Sequence, residues 1–323
     1  MKATKVILDT DIGLDIDDAL ALAYLLKNPN CNLMGVTTFC GCAQLRAQLV
    51  SAICIAAGKN YIPIYPGTDD CILIDQREMY APQSVVLEKW EHKENFPEHS
   101  ALDFMRQTIY ENPGEVILLT IGPPSNIARL FLMDPKIPSM LKGFYLMGGK
   151  FGGTQGHMWT QRYPDMSHRF SGFEPDTINE ILQGGALDPN GCIDPYATAI
   201  VHGYSAPIHR SVGEDITSKV VMDRACFRRV MSEIGSPLHH IIMEMGTVFL
   251  DEAETVTFHD PLAAVSIFKD VCEFTKGRIS VELQSQYLRG YTYFQEDKDG
   301  PHEVASSVDC GAFFDEFFSV LNR

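Results

Sequence analysis

The feature that most constrains this chain is its first strand-to-helix turn, which carries five aspartates. An apolar run at residues 6–8 indicates a buried strand, and residues 19–26 indicate a helix with little polar surface. The aspartates between them are Asp9, Asp11, Asp15, Asp17 and Asp18. Carboxylates crowded in a partly dry site repel one another at a cost of about 1 kcal/mol or more each, so we expect a hard cation among them. Helix capping would account for two aspartates and not for five.

The place of this cluster in the fold also favours a ligand site. In open α/β sheets, ligands bind outside the carboxyl ends of the strands, where a strand is followed by a helix. An Asp-x-Asp pair after a strand, here Asp9 and Asp11, also begins the phosphatases of the haloacid dehalogenase type. The turn alone therefore does not identify the class of enzyme, because the same pair of aspartates also occurs in these phosphatases.

Apolar strands alternate with helices along most of the chain. Strands are predicted at residues 33–39, 62–65, 116–121, 144–147 and 207–212, and in the tail at 279–283 and 287–294. Helices are predicted near residues 43–57, 101–110, 125–133, 224–233, 238–249, 262–268 and 312–321, and after Pro195. We therefore expect an α/β fold with a mostly parallel central sheet covered by helices and an open Rossmann-like core. Residues 1–323 should form a single large domain, with irregular active-site segments near 68–100 and 150–176.

The net charge and the cysteine content limit which classes of partner and which cellular compartment we expect. A formal net charge of −16 disfavours nucleic acid and anionic membrane surfaces, because both are polyanions. No apolar run approaches the roughly 18 to 20 residues of a membrane span, and the N-terminus enters a strand at once, so a cytoplasmic location is expected. The nine cysteines indicate reduced thiols, and Cys40 and Cys42 lack a second pair at zinc spacing.

Five separate motifs carry a resemblance to a known family. They are DTDIGLDIDDA at residues 9–19, TIGPPSNIA at 120–128, LMGG at 146–149, NGCIDPYA at 190–197 and HDPLA at 259–263. In this order they resemble the inosine-uridine preferring nucleoside N-ribohydrolase family, the calcium-dependent nucleoside hydrolases. The resemblance extends from residue 5 to about residue 270, and several motifs in register are far more specific than any one of them.

The resemblance implies one bound Ca²⁺ ion in this turn. Its ligands would be Asp11, Asp18, the main-chain carbonyl of Ile121, and Asp260. Calcium takes six to eight oxygen ligands, so a sugar diol could complete the set. The implied substrate is a ribonucleoside, the implied role is purine or pyrimidine salvage, and the implied assembly is a homodimer or homotetramer.

The resemblance also implies roles in catalysis. The N-glycosidic bond would be hydrolysed to ribose and free base through an oxocarbenium-like transition state. Asp11 would activate a calcium-bound water, and His259 would protonate the departing base. Asp17 and Asn190 would bind ribose hydroxyls, and Asp188 would lie near the 5′ end of the sugar.

The chain departs from the family pattern in four places. The first motif is two residues longer than usual, so either Asp15 or Asp17 meets the ribose. Cys42 stands where the family commonly has Asn at a substrate-binding position. The 150–176 insertion replaces a stretch that normally supplies an Asn to the sugar, and the usual His-Gly signature is absent, leaving Trp90 and His92 as stand-ins.

Two other interpretations compete with this one. A phosphohydrolase of the haloacid dehalogenase type would use Asp9 as nucleophile with magnesium. A non-catalytic calcium-binding or ribose-binding relative would have lost turnover through the Cys42 change and the altered loops. Release of ribose from nucleosides, measured against a generic phosphatase substrate, separates the three.

Overall fold

A computed structural model describes residues 3–75, 80–98, 100–151, 187–251, 253–285 and 288–323. The irregular segment predicted at 150–176 lies outside the described residues from residue 152 onward.

The described residues form a nine-stranded sheet and a separate two-stranded ribbon. The strands are β1 (Thr4–Thr10), β2 (Cys31–Thr38), β3 (Ile64–Pro66), β4 (Val116–Thr120), β5 (Gly143–Met147), β6 (His209–Val212), β7 (Val221–Asp223), β8 (Thr255–Thr257), β9 (Cys272–Val281), β10 (Thr292–Glu296) and β11 (His302–Val308). The large sheet has the order β10-β9-β11-β6-β5-β4-β1-β2-β3, and β7 pairs with β8. Strands β1 to β6 and β11 are parallel, whereas β9 pairs antiparallel with β10 and β11. The predicted α/β fold with a mostly parallel sheet is confirmed.

Helices cover both faces of this sheet. They are α1 (Asp17–Lys27), α2 (Ala43–Ala56), α3 (Ala101–Glu111), α4 (Ser125–Met133), α5 (Ile137–Met140), α6 (Pro189–Ile193), α7 (Pro195–His202), α8 (Glu214–Thr217), α9 (Arg224–Ser232), α10 (Pro237–Leu250), α11 (His259–Val265) and α12 (Cys310–Leu321), with a 3₁₀ helix at Pro82–Glu88. Among these described helices, none combines the length and the apolar character needed to cross a bilayer.

Side-chain alternation along the strands divides the core between the two faces. In β1, Val6 and Leu8 belong to the larger hydrophobic cluster, and Ile7 belongs to the smaller one on the opposite face. Both clusters are fully enclosed, which explains why the central strands are continuously apolar. The order β3-β2-β1-β4-β5-β6 is that of a Rossmann-type sheet, so the direction of chain progression reverses between β1 and β4.

An aromatic cluster fixes the segment that enters α11. The ring of Phe258 lies 5.7 Å from that of Phe313, 5.2 Å from that of Phe314 and 5.4 Å from that of Phe317, edge to face in each case. Edge-to-face pairs stabilise packing by about 0.5 to 1.5 kcal/mol each beyond area burial. The final helix therefore determines where His259, the next residue along the chain, is held.

The tail differs from the prediction at its strands. The strand expected at 287–294 begins only at Thr292, and β11 was not predicted. Its sequence HEVASSV has no apolar run, so the sequence does not mark it as a strand. β11 is stabilised instead by its pairing with β6 and β9. The segment at 68–100 also contains the unpredicted 3₁₀ helix, which packs against α2 and α10.

Candidate active site

The candidate site is a pocket at the carboxyl ends of the central strands, beside the point where chain progression reverses. Its carboxylates come from Asp11, Asp15, Asp17, Asp18, Glu214 and Asp260. Its other polar side chains are Asn190 and His259, and Ile121 and Met147 are among its apolar residues. The sheet therefore brings together residues that lie up to about 250 positions apart in the sequence.

The loop after β1 is held by a fully buried arginine from α2. Arg46 donates from Nη1 to the main-chain carbonyls of Asp11 and Ile12, the second at 2.9 Å, and from Nε to the carbonyl of Cys40 at 2.7 Å. A guanidinium group has five N–H donors in a rigid fork, so one side chain can fix several carbonyls at once. Gly122 packs closely against the side chain of Asp11, so a Cβ atom at this position would force the carboxylate to shift.

Three buried carboxylates form the centre of the pocket. Asp17 and Asp18 begin α1, Asp260 lies in the first turn of α11, and one oxygen of each lies within 4.8 Å of the others. Thr10 Oγ1 donates to Asp18 Oδ1 at 2.5 Å, and the Asp260 N–H donates to Asp17 Oδ2 at 3.3 Å. Two helix N-termini thus present carboxylates to one point, and the group could bind a metal ion.

Electrostatics show that the group is unfavourable without a cation. Burial, followed by the charge of Asp15, raises the pKa of Asp17 to about 8. Burial and the neighbouring carboxylates raise the pKa of Asp18 and Asp260 well above their ordinary values. A positive ion placed among them would restore the charged forms, so these oxygens suit a hard cation.

Asn190 connects two strand ends through its amide. Its Nδ2 donates to the carbonyls of Ile121 and Met147, each at 3.0 Å. Both donor hydrogens are thereby used, and the side-chain oxygen is the atom left to accept a hydrogen bond from a ligand. The carbonyl of Ile121, which was predicted from the resemblance as a metal ligand, keeps a second lone pair for an ion.

His259 begins α11, lines the pocket and is oriented by α8. Its Nδ1 is 2.6 Å from Thr217 Oγ1, which also lies 3.4 Å from the carbonyl of Glu214. If the hydroxyl donates to this carbonyl, its oxygen accepts from the Nδ1–H of His259, and Nε2 is then directed to the pocket. Glu214 also lines this pocket.

Two residues predicted to bind substrate do not line the pocket. Cys42 is the half-buried residue before α2. Asp188 is 1% exposed and caps α6, accepting the Gly191 N–H at 2.9 Å. It therefore stabilises the short helix that carries Asn190. Asp15 and Asp17 both line the pocket, so the alternative left open by the longer first motif persists.

The described residues of 68–100 do not line the pocket either. Trp90 packs against the larger core cluster, and His92 Nδ1 lies 2.8 Å from the carbonyl of Trp90. These two residues are therefore not placed as stand-ins for the missing His-Gly signature. Within the described part of this segment, Gln83 binds the main chain of Gly13 and Leu14 and so contacts the loop that carries the aspartates.

Asp9 lies behind the pocket and is fully engaged. It accepts hydrogen bonds from Thr37 Oγ1 at 2.5 Å, Asn126 Nδ2 at 2.8 Å and Thr120 Oγ1 at 3.3 Å. Burial raises its pKa to about 6, although these hydrogen bonds oppose the shift. A carboxylate with three internal donors and 1% exposure is not placed to act as a phosphatase nucleophile.

Sequence reasoning missed Arg46, Thr217 and Glu214. An arginine within the apolar helix AQLRAQLVSAICIA was the available signal for Arg46, because a fully buried guanidinium needs several acceptors. No comparable signal marked Thr217, which contacts His259, or Glu214, which lines the pocket, because their helix is brought to the site by the pairing of β6 with β5.

Comparisons with known proteins agree with this architecture. The chain matches the family model described as inosine-uridine preferring nucleoside hydrolase over residues 6–315. It is 27% identical over 334 residues to the pyrimidine-specific ribonucleoside hydrolase RihA of Salmonella arizonae, covering 97% of this chain and 96% of that protein. The solved structure of the plant nucleoside hydrolase PpNRh1 has a TM-score of 0.79 at 21% identity, over 99% of both chains. A purine-preferring ribonucleoside hydrolase from Gardnerella vaginalis has a TM-score of 0.79 at 20% identity, over 98% of both chains.

The chelated, metal-free protein should become less stable as the pH rises from about 7 to about 8. Asp17, with a pKa of about 8, keeps its proton in this interval only when folded, whereas the buried histidines, neutral when folded, are mostly neutral in the unfolded chain as well, because the interval lies above their ordinary pKa of about 6.5. The folded state then binds more protons than the unfolded state, so each such carboxyl lowers the free energy of unfolding by up to about 1.4 kcal/mol per pH unit. Denaturant unfolding at several pH values measures this slope.

Two comparisons sharpen this measurement. Asp17→Asn should flatten the slope, and Asp299→Asn at an exposed position should not. Ca²⁺ should stabilise the wild type more at pH 8 than at pH 7, because it binds ionised carboxylates. A metal-free protein whose stability rises across this interval would contradict the electrostatic description.

Arg46→Met should destabilise the protein strongly. The substitution keeps the apolar stem and leaves the carbonyls of Asp11, Ile12 and Cys40 without this donor, so we expect a loss of about 3 to 5 kcal/mol in the free energy of unfolding. The matched control is Arg228→Met on the exposed side of α9, which should change it by less than about 0.5 kcal/mol. Equal effects of the two substitutions would show that Arg46 does not hold the loop.

Proposed function

Because the chain belongs to the inosine-uridine preferring nucleoside hydrolase family and is therefore a nucleoside hydrolase, we propose that it hydrolyses the N-glycosidic bond of ribonucleosides to ribose and free base with one Ca²⁺ ion. The observation that carries this proposal is the set of three buried carboxylates of Asp17, Asp18 and Asp260 in one pocket with Asp11 and His259. The enclosed position of Asp9 argues against the alternative phosphohydrolase.

The donor set fits Ca²⁺ better than Zn²⁺. The proposed ligands are Asp11, Asp18, Asp260 and the carbonyl of Ile121, all of which offer oxygen. Calcium accepts many oxygen ligands in irregular geometry, whereas Zn²⁺ prefers nitrogen and sulfur. When bound, the ion would lower the pKa of a water molecule and attract the oxygens of the ribose diol.

Asp11 is the proposed general base. Its carboxylate lies in the pocket against Gly122, and its main chain is fixed by Arg46, so the side chain has little freedom to turn away. In the ionised form it accepts the proton of the attacking water as the sugar develops positive charge. The surrounding carboxylates would also stabilise that positive charge in the transition state.

Ribose binding is assigned to Asn190 and to Asp17 or Asp15. The amide nitrogen of Asn190 is occupied by two carbonyls, so its oxygen is oriented to accept from a sugar hydroxyl. Carboxylates of Asp17 and Asp15 are acceptors for further hydroxyls. Holding the sugar at several points lowers the entropic cost of reaching the transition state.

His259 is the proposed general acid for the departing base. The Nδ1 contact with Thr217 fixes the ring plane, and Nε2 can then donate a proton to the leaving nitrogen. Glu214 also lines the pocket, and we assign its carboxylate as an acceptor for N–H groups of a base. Known relatives are named for pyrimidine and for purine nucleosides, so both classes belong in a test.

Ribose release from inosine, guanosine, adenosine, uridine and cytidine tests the proposed function, with p-nitrophenyl phosphate as the phosphatase substrate. We expect ribose from at least one nucleoside and no phosphate release.

At saturating Ca²⁺, Asp11→Asn should lower kcat by about 10²-fold or more with a smaller change in KM, because an amide cannot accept the proton. Asp299→Asn, which is exposed, is the control and should retain full activity. Wild-type turnover by a calcium-saturated Asp11→Asn protein would overturn the assignment of the base.

Leaving-group dependence tests His259. His259→Ala should slow natural nucleosides by about 10²- to 10⁴-fold and spare p-nitrophenyl riboside, whose phenolate leaves without a proton. His92→Ala, outside the pocket, is the matched control. Thr217→Val should cost about tenfold on nucleosides only, and Thr217→Ser should restore activity by returning the hydroxyl. Equal losses on both substrate types would assign His259 a structural role.

A further inference from the structure

Three buried histidines lie together at the amino ends of the parallel strands, at the opposite end of the sheet from the candidate active site. His209 begins β6 and His302 begins β11, which is its parallel neighbour, and His202 ends α7. These side chains are 6%, 1% and 3% exposed for His202, His209 and His302. Because the active-site pocket lies at the carboxyl ends of the same strands, this cluster belongs to a different part of the molecule.

The rings are close enough to share one ligand. Their centroids are separated by 5.3 Å between His202 and His209, 5.5 Å between His202 and His302, and 4.6 Å between His209 and His302. One nitrogen of each ring lies within 4.8 Å of the others. Movements of about 1 Å would bring these atoms to the spacing of ligands around a tetrahedral ion with bonds of about 2.1 Å.

The hydrogen bonds determine which nitrogens carry lone pairs. His209 Nδ1 lies 3.2 Å from the carbonyl of Tyr204 and must donate to it, so Nε2 is left as a bare acceptor. His302 Nδ1 accepts the Ile279 N–H at 3.0 Å, and its Nε2 donates to the carbonyl of His202 at 3.1 Å. The ring of His209 is therefore oriented by a backbone carbonyl, which is one of the usual partners of the second nitrogen in metal-bound histidines.

Two of these rings have buried nitrogens that no described residue satisfies. They are His209 Nε2 and both ring nitrogens of His202. An unsatisfied buried polar atom costs about 1 to 3 kcal/mol, so natural proteins retain one only when an ion, a water or a function compensates. Burial lowers the pKa of all three imidazoles, that of His209 to about 3, and neutral imidazole is the form that binds metals.

We propose that His202, His209 and His302 form a binding site for one imidazole-preferring transition-metal ion, represented by Zn²⁺, that is separate from the acidic site. His202 and His209 supply nitrogens without competing hydrogen bonds, and His302 joins them after exchanging one backbone hydrogen bond for the metal. The ion would connect α7, β6 and β11, so its role would be structural. This site does not depend on the proposed function.

Cobalt is the probe that tests this site, because Co²⁺ bound tetrahedrally by nitrogen absorbs visible light. Ca²⁺ is kept saturating to fill the acidic pocket, and Co²⁺ is added to the intact protein over hours because the site is buried. We expect about one tetrahedral Co²⁺ per chain, with water as the fourth ligand, displacement of it by Zn²⁺, and a higher Tm with Zn²⁺. Nucleoside hydrolysis should be unchanged.

Variants assign the ligands. His209→Gln and His202→Gln should each abolish the cobalt spectrum and the rise in Tm, and His302→Gln should weaken binding about tenfold. His240→Gln, at an exposed position of α10, is the control and should bind like the wild type. Retained binding in His209→Gln, or no binding by the wild type, would overturn the proposal and leave water as the compensating partner.

The X-ray absorption spectrum of zinc in the wild-type protein gives a second test that does not depend on the folding of variants. Nitrogen scattering with the imidazole pattern would support the three histidines. Sulfur scattering would assign the ion to some of the nine cysteines and would contradict the site.

Discussion

The repulsion among buried carboxylates at the end of β1 is the constraint on which the rest of the site depends. Asp17, Asp18 and Asp260 begin two helices that meet at one point, so the helix N-termini favour the same charges that oppose one another. Arg46 contributes positive charge and five donors, but it binds carbonyls of the loop, and its charge only partly offsets the high pKa of Asp18. The fold therefore holds these carboxylates together without enough positive charge to balance them, as a cation-binding site does before its ion binds.

Much of the sheet could be predicted because its central strands are buried on both faces. The apolar runs near 116–121 and 144–147 match β4 and β5 within a residue. β11 could not be predicted, since its polar sequence is stabilised by neighbouring strands that are distant in the chain. The antiparallel edge formed by β9 and β10 was recognised only in part, for the same reason.

The site could be predicted where motifs carry the residues, and not where packing does. Asp11 and His259 lie in recognisable motifs, and both line the pocket. Thr217 and Arg46 act on them from elements whose sequences show no motif, because their roles come from backbone carbonyls and ring orientation. Asp188 combines a motif with a structural role, since it caps the short helix that carries Asn190, and its contact with the sugar stays a prediction.

Burial acts in opposite directions at the two ends of the parallel strands. At the carboxyl ends it raises the pKa of Asp17 and Asp260, and at the amino ends it lowers the pKa of His202 and His209. The same low dielectric therefore disfavours negative charge at one edge and positive charge at the other. An ion at the first edge is attracted by carboxylates that it returns to their charged form, whereas an ion at the second must bind neutral nitrogen through directional lone pairs. Donor chemistry would thus direct hard cations to the carboxyl ends of the strands and borderline cations to the amino ends. Binding of one ion would then leave the other site available.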